Sequence, residues 1–209
     1  MFWICWGLVF YSYVVYPALL WLLSRFVKRV YDIYDVTAEL PPVSILMSVR
    51  NEEKVIEEKL DSIVNSTLPL RKLEVLIGSD ASTDFTNAIV QRYASQHDFI
   101  TLIPFAERQG KPHVINALVE RASHKLLLLT DANVIFKADT IHQLIKPFLD
   151  KRIGLVGGNI LNRFAQRGGI AVHEKNYIGI ENKIKLWEGS VFGKMIGPFG
   201  GCFMLRKEL

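Results

Sequence analysis

Three short polar strings each stand directly behind an apolar run: Ser48-Val49-Arg50-Asn51-Glu52-Glu53, Gly78-Ser79-Asp80-Ala81-Ser82-Thr83-Asp84 and Thr130-Asp131-Ala132-Asn133. They are rich in carboxylates, amides and hydroxyls, which accept hydrogen bonds and, when ionised, bind hard cations. Taken singly, an Asp, Asn or Ser after a strand often only caps the next helix. Three such strings on one edge of one sheet are harder to explain as caps, and they mark that edge as a ligand site.

The elements that would hold these strings follow from periodicity. Val43 to Val49, Leu73 to Ile77, Phe99 to Ile103, Lys125 to Thr130 and Ile153 to Val156 are strand-like apolar runs. Between them lie helical patterns: Val55, Ile56, Leu60, Ile63 and Val64 behind Glu52 and Glu53, then Ala88, Ile89 and Tyr93, then Pro112 to Ala122, then Asp139 to Leu149. Such alternation predicts a mostly parallel α/β sheet with helices on both faces. Ligands of these sheets bind outside the carboxyl ends of the strands, where the polar strings fall.

The chain begins differently. Met1 to Ser24 carries no charged side chain and is mostly Phe, Trp, Ile, Val, Leu, Tyr and Ala. As a helix it would measure about 35 Å, enough to cross a hydrocarbon core of about 30 Å. Aromatic residues are spread along it, Pro17 is a candidate kink, and Arg25, Lys28 and Arg29 follow. The positive-inside tendency then places the remaining chain in the cytoplasm, as a single-pass membrane protein. A cleaved signal peptide fits less well, because neither a basic residue before the apolar run nor a small-residue cleavage site is evident. The expected organisation is a transmembrane helix over 1–24, a juxtamembrane linker over 25–42 and one domain over 43–209.

Composition agrees. Half of the 209 residues are hydrophobic and the formal net charge is +4. Lys and Arg are interspersed with Asp and Glu, which argues against nucleic acid and leaves a membrane surface or an anionic small molecule as partner. Cys5 and Cys202 stand at opposite ends of the chain and the five histidines show no metal-ligand spacing, so neither a disulfide framework nor a zinc site is implied. Lys175, Glu181, Lys183 and Lys185 share a stretch with Tyr177, Ile180, Ile184 and Trp187 at helical spacing, a face suited to packing.

The order of the motifs resembles family 2 glycosyltransferases of the GT-A fold, from Pro41 to Leu209. Gly78 to Asp84 is similar to the family's Asp-Asp-Gly-Ser-Thr-Asp loop, Gly110-Lys111-Pro112-His113-Val114-Ile115-Asn116 to its Gly-Lys-x-x-Ala-Leu-Asn segment, and Thr130-Asp131-Ala132-Asn133 to its Asp-x-Asp metal motif. Gly197 to Arg206 resembles its glycine-rich acceptor-side turn ending in Arg. The Tyr-Pro of the leading helix is also common in membrane-bound members.

The resemblance implies a role for each loop. Asp80 would accept the imide N–H of uracil or an equivalent base edge, with Asn51 and Glu52 lining the nucleoside pocket. Lys111 would face the diphosphate, assisted by Arg108, and Asn116 would bond to the Asp131 loop or the sugar. Asp131 would hold Mg²⁺ or Mn²⁺ across the phosphates, with Asn133 as a second, uncharged ligand where the family has Asp. Ser79 likewise replaces the first Asp of the nucleotide loop. Gly200 and Arg206 would lie on the acceptor side.

The activity implied is transfer of a sugar, of the hexosyltransferase type, from a nucleotide-diphosphate sugar, UDP-sugar favoured. The acceptor would be a glycan or lipid-linked intermediate, the anomeric centre would invert, and the setting would be polysaccharide biosynthesis. The family's catalytic carboxylate and its later Gln-x-x-Arg-Trp segment have no counterpart before Leu209, and Glu208 stands too close to the glycine turn to be assigned as the base. The expected alternative is therefore a nucleotide-sugar-binding module or fragment of a larger synthase, with a partner chain completing the site. A dinucleotide-binding oxidoreductase would need Gly-x-Gly-x-x-Gly after the first strand, which residues 48–53 lack; a nucleotidyltransferase would need a glycine-rich phosphate loop near residue 50.

Overall fold

The computed structural model describes residues 1–27, 39–160, 170–194, 197–198 and 200–209, with side chains of 170–178 outside the description. The linker residues 28–38, and with them Lys28 and Arg29, lie outside the described residues, as do the side chains of Lys175 and Tyr177 and residue Phe199 of the glycine-rich motif. The chain divides into two compact units, Met1–Ile33 with Asn159–Pro198 and Tyr34–Gly158 with Phe199–Leu209.

In the first unit, α1 (Phe2–Phe10), a π-helical turn (Tyr11–Val15) and α2 (Tyr16–Phe26) run on as one helix of 25 residues, long and apolar enough to cross a membrane. The π turn ends two residues before Pro17. A proline offers no N–H to the preceding turn, and a local change of winding is the usual accommodation. The 23-residue α7 (Ile170–Phe192) packs on α2. There the Tyr16 hydroxyl donates to Glu188 Oε1 at 2.7 Å, and Glu188 and Leu20 are buried.

The second unit is built on a six-stranded sheet of order β3-β2-β1-β4-β6-β5. Its strands are β1 (Val43–Val49), β2 (Leu73–Asp80), β3 (Ile100–Phe105), β4 (Leu126–Thr130), β5 (Leu155–Gly157) and β6 (Cys202–Arg206). The first four are parallel; β6 runs antiparallel to both β4 and β5. β1 is central and its side chains are almost wholly buried, as expected of a strand covered on both faces. The order reverses between β1 and β4: the chain leaves β1 towards β2 and β3, then returns to the other side as β4. A crevice forms at such a switch point.

The helices are α3 (Ile56–Val64), α4 (Thr86–Gln96), α5 (Lys111–Arg121) and α6 (Thr140–Ile145). On α3 the buried face is Ile56, Lys59, Leu60 and Ile63, the i, i+3, i+4, i+7 spacing with a lysine in it. α5 lies so close to β2 that a β-carbon at Gly78 would clash with Val114 Cγ1. Two expectations are revised. The helix expected over Asp139–Leu149 is α6 followed by a 3₁₀ turn (Lys146–Leu149), because Pro147 cannot continue an α-helical ladder. The glycine-rich stretch, read only as a turn, runs into the additional strand β6.

Candidate active site at the β1–β4 switch point

The loops after β1 and β2 are locked to each other before they meet any ligand. Asn51 and Ala81 both have positive φ, 54° and 53°. Asn tolerates that region and Ala does so at a cost, so the surrounding bonds must hold them there. They do: Asn51 Oδ1 accepts the Thr83 N–H at 2.9 Å, the Glu52 N–H donates to Thr86 Oγ1 at 2.8 Å, and the Glu53 N–H donates to Asp84 Oδ2 at 3.1 Å. In return Glu53 Oε2 accepts the Phe85 N–H at 3.1 Å and Asp84 Oδ1 that of Thr86 at 3.0 Å. Burial alone would raise the Asp84 carboxyl, but the bonds from Thr86 and Glu53 outweigh it and hold it below the usual range.

Asp80, at the end of β2, fixes the next loop. Its buried carboxylate accepts the N–H of Gln109 at 2.6 Å and of Gly110 at 3.0 Å. Gly110, with φ 85°, then turns the chain into α5 and puts Lys111 at that helix's first position. Ser79 is also buried and bonds to Ser82 Oγ at 2.9 Å, holding the loop from within.

From the other side, β4 ends at Thr130 and delivers Asp131, whose N–H donates to the Gly201 carbonyl at 3.1 Å. Its Oδ1 lies 2.5 Å from Lys111 Nζ, and both side chains are substantially exposed. Beneath this loop is Lys59, with no solvent exposure. Its Nζ donates to Thr130 Oγ1 at 3.0 Å and to the Val134 carbonyl at 2.5 Å, and sits 3.2 Å from the centre of the Phe136 ring. Burial pushes the Lys59 ammonium down to about 7 against the opposing pull of Cys202 and Asp131, and pushes the buried Cys202 thiol up to about 11.

These loops enclose a cleft of about 290 Å³ lined by Ser48, Val49, Arg50, Glu52, Asp80, Arg108, Gly110, Lys111, Asp131, Ala132 and Asn133. Beside it, sharing Lys111 and Asp131, is a hollow of about 230 Å³ lined also by Pro112, Ile115, Leu129, Thr130, Gly200 and Phe203. One space is charged and the other mostly apolar. Within the cleft the Glu52 carboxyl is raised, first by burial and then by the negative charges of Asp131 and Asp84. A divalent cation there would relieve that repulsion. Asp131 and the Asn133 amide offer hard oxygen donors, and Mg²⁺ and Mn²⁺ sites commonly take one or two protein oxygens and fill the rest with phosphate and water. The donor set therefore fits such an ion.

Of the residues expected from sequence, Glu52, Asp80, Lys111, Asp131 and Asn133 share the cleft, Asn51 braces its rim, and Gly200 lines the hollow. Asn116 is exposed on α5 and lines neither space. Arg206, expected on the acceptor side, lines neither space and lies at the other end of its strand. Because β6 is antiparallel, Cys202 pairs with Thr130 at the cleft edge while Arg206 pairs with Leu126 at the opposite edge. There its guanidinium donates to the carbonyls of Ile153 at 2.9 Å, Phe148 at 3.0 Å and Asp150 at 3.2 Å. Glu208 follows it on that far edge, where the Lys207 N–H donates to the Lys125 carbonyl at 2.8 Å. Arg50, a third cation on the cleft, was not singled out from sequence, although it stands in the first polar string.

Residues 44–209 match the model of the glycosyl transferase family 2 domain. The chain belongs to this family. Among relatives of this family 2 domain, the poly-beta-1,6-N-acetyl-D-glucosamine synthase of Staphylococcus aureus is 29% identical over 174 residues, covering 81% of this chain and 40% of the synthase. Glycosyltransferase AglE of Haloferax volcanii is 25% identical over 148 residues, 71% of this chain and 49% of that protein. Among solved structures, the mannosyltransferase PcManGT from Pyrobaculum calidifontis, in complex with GDP-Man and Mn²⁺, superposes with a TM-score of 0.74 at 27% identity, covering 95% of this chain and 54% of that one. The family 2 chain thus spans about half or less of the length of these relatives.

Proposed function

We propose that this chain is the donor-binding part of a membrane-anchored glycosyltransferase. In this reading it holds a nucleotide-diphosphate sugar at the β1–β4 switch point and presents its sugar to a glycan or lipid-linked acceptor hydroxyl, with inversion. The observation that carries the reading is the convergence of Glu52, Asp80 and Asp131 with Arg50, Arg108 and Lys111 on one cleft. Three cations suit a diphosphate, and the carboxylates suit a divalent ion and the N–H edge of a base. The mannosyltransferase complex with GDP-Man and Mn²⁺ supports both halves.

Each side chain then has a task. The Asp80 carboxylate, already holding the Gln109 and Gly110 N–H groups, keeps lone pairs for the imide of uracil, the favoured base, or the equivalent edge of guanine. Lys111 and Arg108 neutralise the diphosphate and keep it against α5. Asp131 and Asn133 would hold Mg²⁺ or Mn²⁺, which when bound supplies Lewis-acid stabilisation of the departing diphosphate. Gly200 and Phe203 border the space beside the sugar.

A second reading is favoured by one observation. Among the described residues, the carboxylates on the cleft and hollow are Glu52, Asp80 and Asp131, all on the donor side, while Glu208 lies at the opposite edge. A general base must reach the acceptor hydroxyl. The chain would then be a binding module completed by other segments or a partner chain.

Calorimetric titration with UDP- and GDP-sugars, with and without Mn²⁺, tests the shared core of both. Binding to the parent that is measurable without metal, strengthened by Mn²⁺, and in the presence of Mn²⁺ weakened more than tenfold by Asp131→Ala, is expected; equal binding by the two proteins removes the donor site from this cleft. Sugar transfer by the parent, measured alongside, separates enzyme from module.

A further inference from the structure

Lys59 is among the largest fully buried side chains of the molecule and lies on the apolar face of α3. Sequestering an ammonium from water is costly unless its donors are all met. Here they are met by one short segment: Thr130 Oγ1, the Val134 carbonyl and the face of the Phe136 ring. No carboxylate is hydrogen-bonded to it among the described residues. The bonded groups bracket Asp131 and Asn133. Thr130 Oγ1 in turn donates to the Asp131 carbonyl at 3.3 Å, so the lysine reaches the backbone of the acidic residue through one hydroxyl. A second tie from α3, the Phe136 N–H to Ser62 Oγ at 3.3 Å, holds the far end of the same segment.

An apolar residue of similar length would fill this position without the desolvation cost. We propose that Lys59 is a positioning residue for the donor site: it clamps both ends of the Thr130–Val134 loop and thereby sets where Asp131 and Asn133 present their oxygens to a divalent cation. The inference rests on the donor-site reading above. It concerns the loop's geometry, not contact with substrate.

The test compares the 209-residue chain with Lys59→Met and Thr130→Val, each in detergent. Mn²⁺ is titrated by its electron paramagnetic resonance signal in the presence of UDP or GDP, and nucleotide affinity is measured separately in EDTA. For Lys59→Met, a Mn²⁺ affinity lower by about tenfold is expected, the usual loss when a group bracing a metal ligand is removed. Metal-free nucleotide affinity should stay within twofold, which a general loss of fold would not allow. A Mn²⁺ loss below threefold, or an equal loss of metal-free binding in a folded variant, overturns the inference. If Lys59→Met does not fold, Thr130→Val decides: it keeps the lysine but removes one tie, and it must lower Mn²⁺ affinity at least threefold. If the parent itself takes up no Mn²⁺ with either nucleotide, the donor-site reading fails and this inference with it; failure of the variants alone leaves that reading standing.

Discussion

Lys111 Nζ lies 2.5 Å from Asp131 Oδ1, so the cation assigned to the diphosphate holds the carboxylate assigned to the metal. A metal and a donor arriving together would part this pair, the carboxylate turning to the ion and the ammonium to the phosphates. Lys111→Met should then improve Mn²⁺ binding without nucleotide by about two- to fivefold, the worth of an exposed ion pair. It should weaken nucleotide-sugar binding by about tenfold, the worth of one charge-assisted hydrogen bond. Unchanged Mn²⁺ affinity would show that the two side chains do not compete.

Glu52 gives the cleft a pH signature. Its carboxyl is raised in the folded chain by burial and by Asp131 and Asp84, so the native state binds its proton more tightly than the unfolded state. Stability from this group is present at low pH and declines as pH rises from its ordinary value near 4.5 through the raised native one. Denaturant melts across pH 4 to about 7 should show this decline in the parent and lack it in Glu52→Gln. Mn²⁺ with nucleotide should also weaken it, by bringing positive charge to the same cleft.

Gly78→Ala should destabilise the second unit by about 1 to 3 kcal/mol, the ordinary cost of overpacking, because its methyl meets Val114 Cγ1. Val114→Ala should recover part of that loss. Additive effects in the double-mutant cycle, read by thermal unfolding, would mean that α5 and β2 do not touch there.

The 25-residue helix Phe2–Phe26 is expected to hold the chain in a bilayer. After expression the parent should sediment with membranes and resist carbonate extraction, whereas the chain lacking residues 1–26 should not resist it. Release of the parent by carbonate would remove the anchor from the reading.

Much of this architecture was legible in the residues. β1 has the bounds its apolar run predicted, Val43 to Val49, and Gly110-Lys111-Pro112 marks the start of α5. Strands buried on both faces leave uninterrupted apolar runs, and glycine and proline punctuate the chain where backbone geometry demands them. What was hidden depended on partners distant in sequence. Nothing in the sequence singles out Lys59, whose partners Thr130, Val134 and Phe136 lie more than 70 residues further along the chain. Asp80 shows its acidity in the sequence but not the two backbone N–H groups that it holds. Cys202 to Arg206 sits behind a glycine-rich turn, and only its pairing with β4 reveals a strand and carries Arg206 away from the cleft.

The reversed strand has one more consequence. Side chains on β6 alternate, with Cys202 and Met204 buried and Phe203 turned to the apolar hollow, so a shift of one residue would exchange inside for outside along its whole length. The same shift would draw the Gly201 carbonyl away from the Asp131 N–H. Arg206 donates to three carbonyls at the remote margin, and the same slide would break those bonds, which sets a cost against it. The alignment of the Asp131 loop is thus coupled, along one strand, to an arginine at the opposite edge of the sheet.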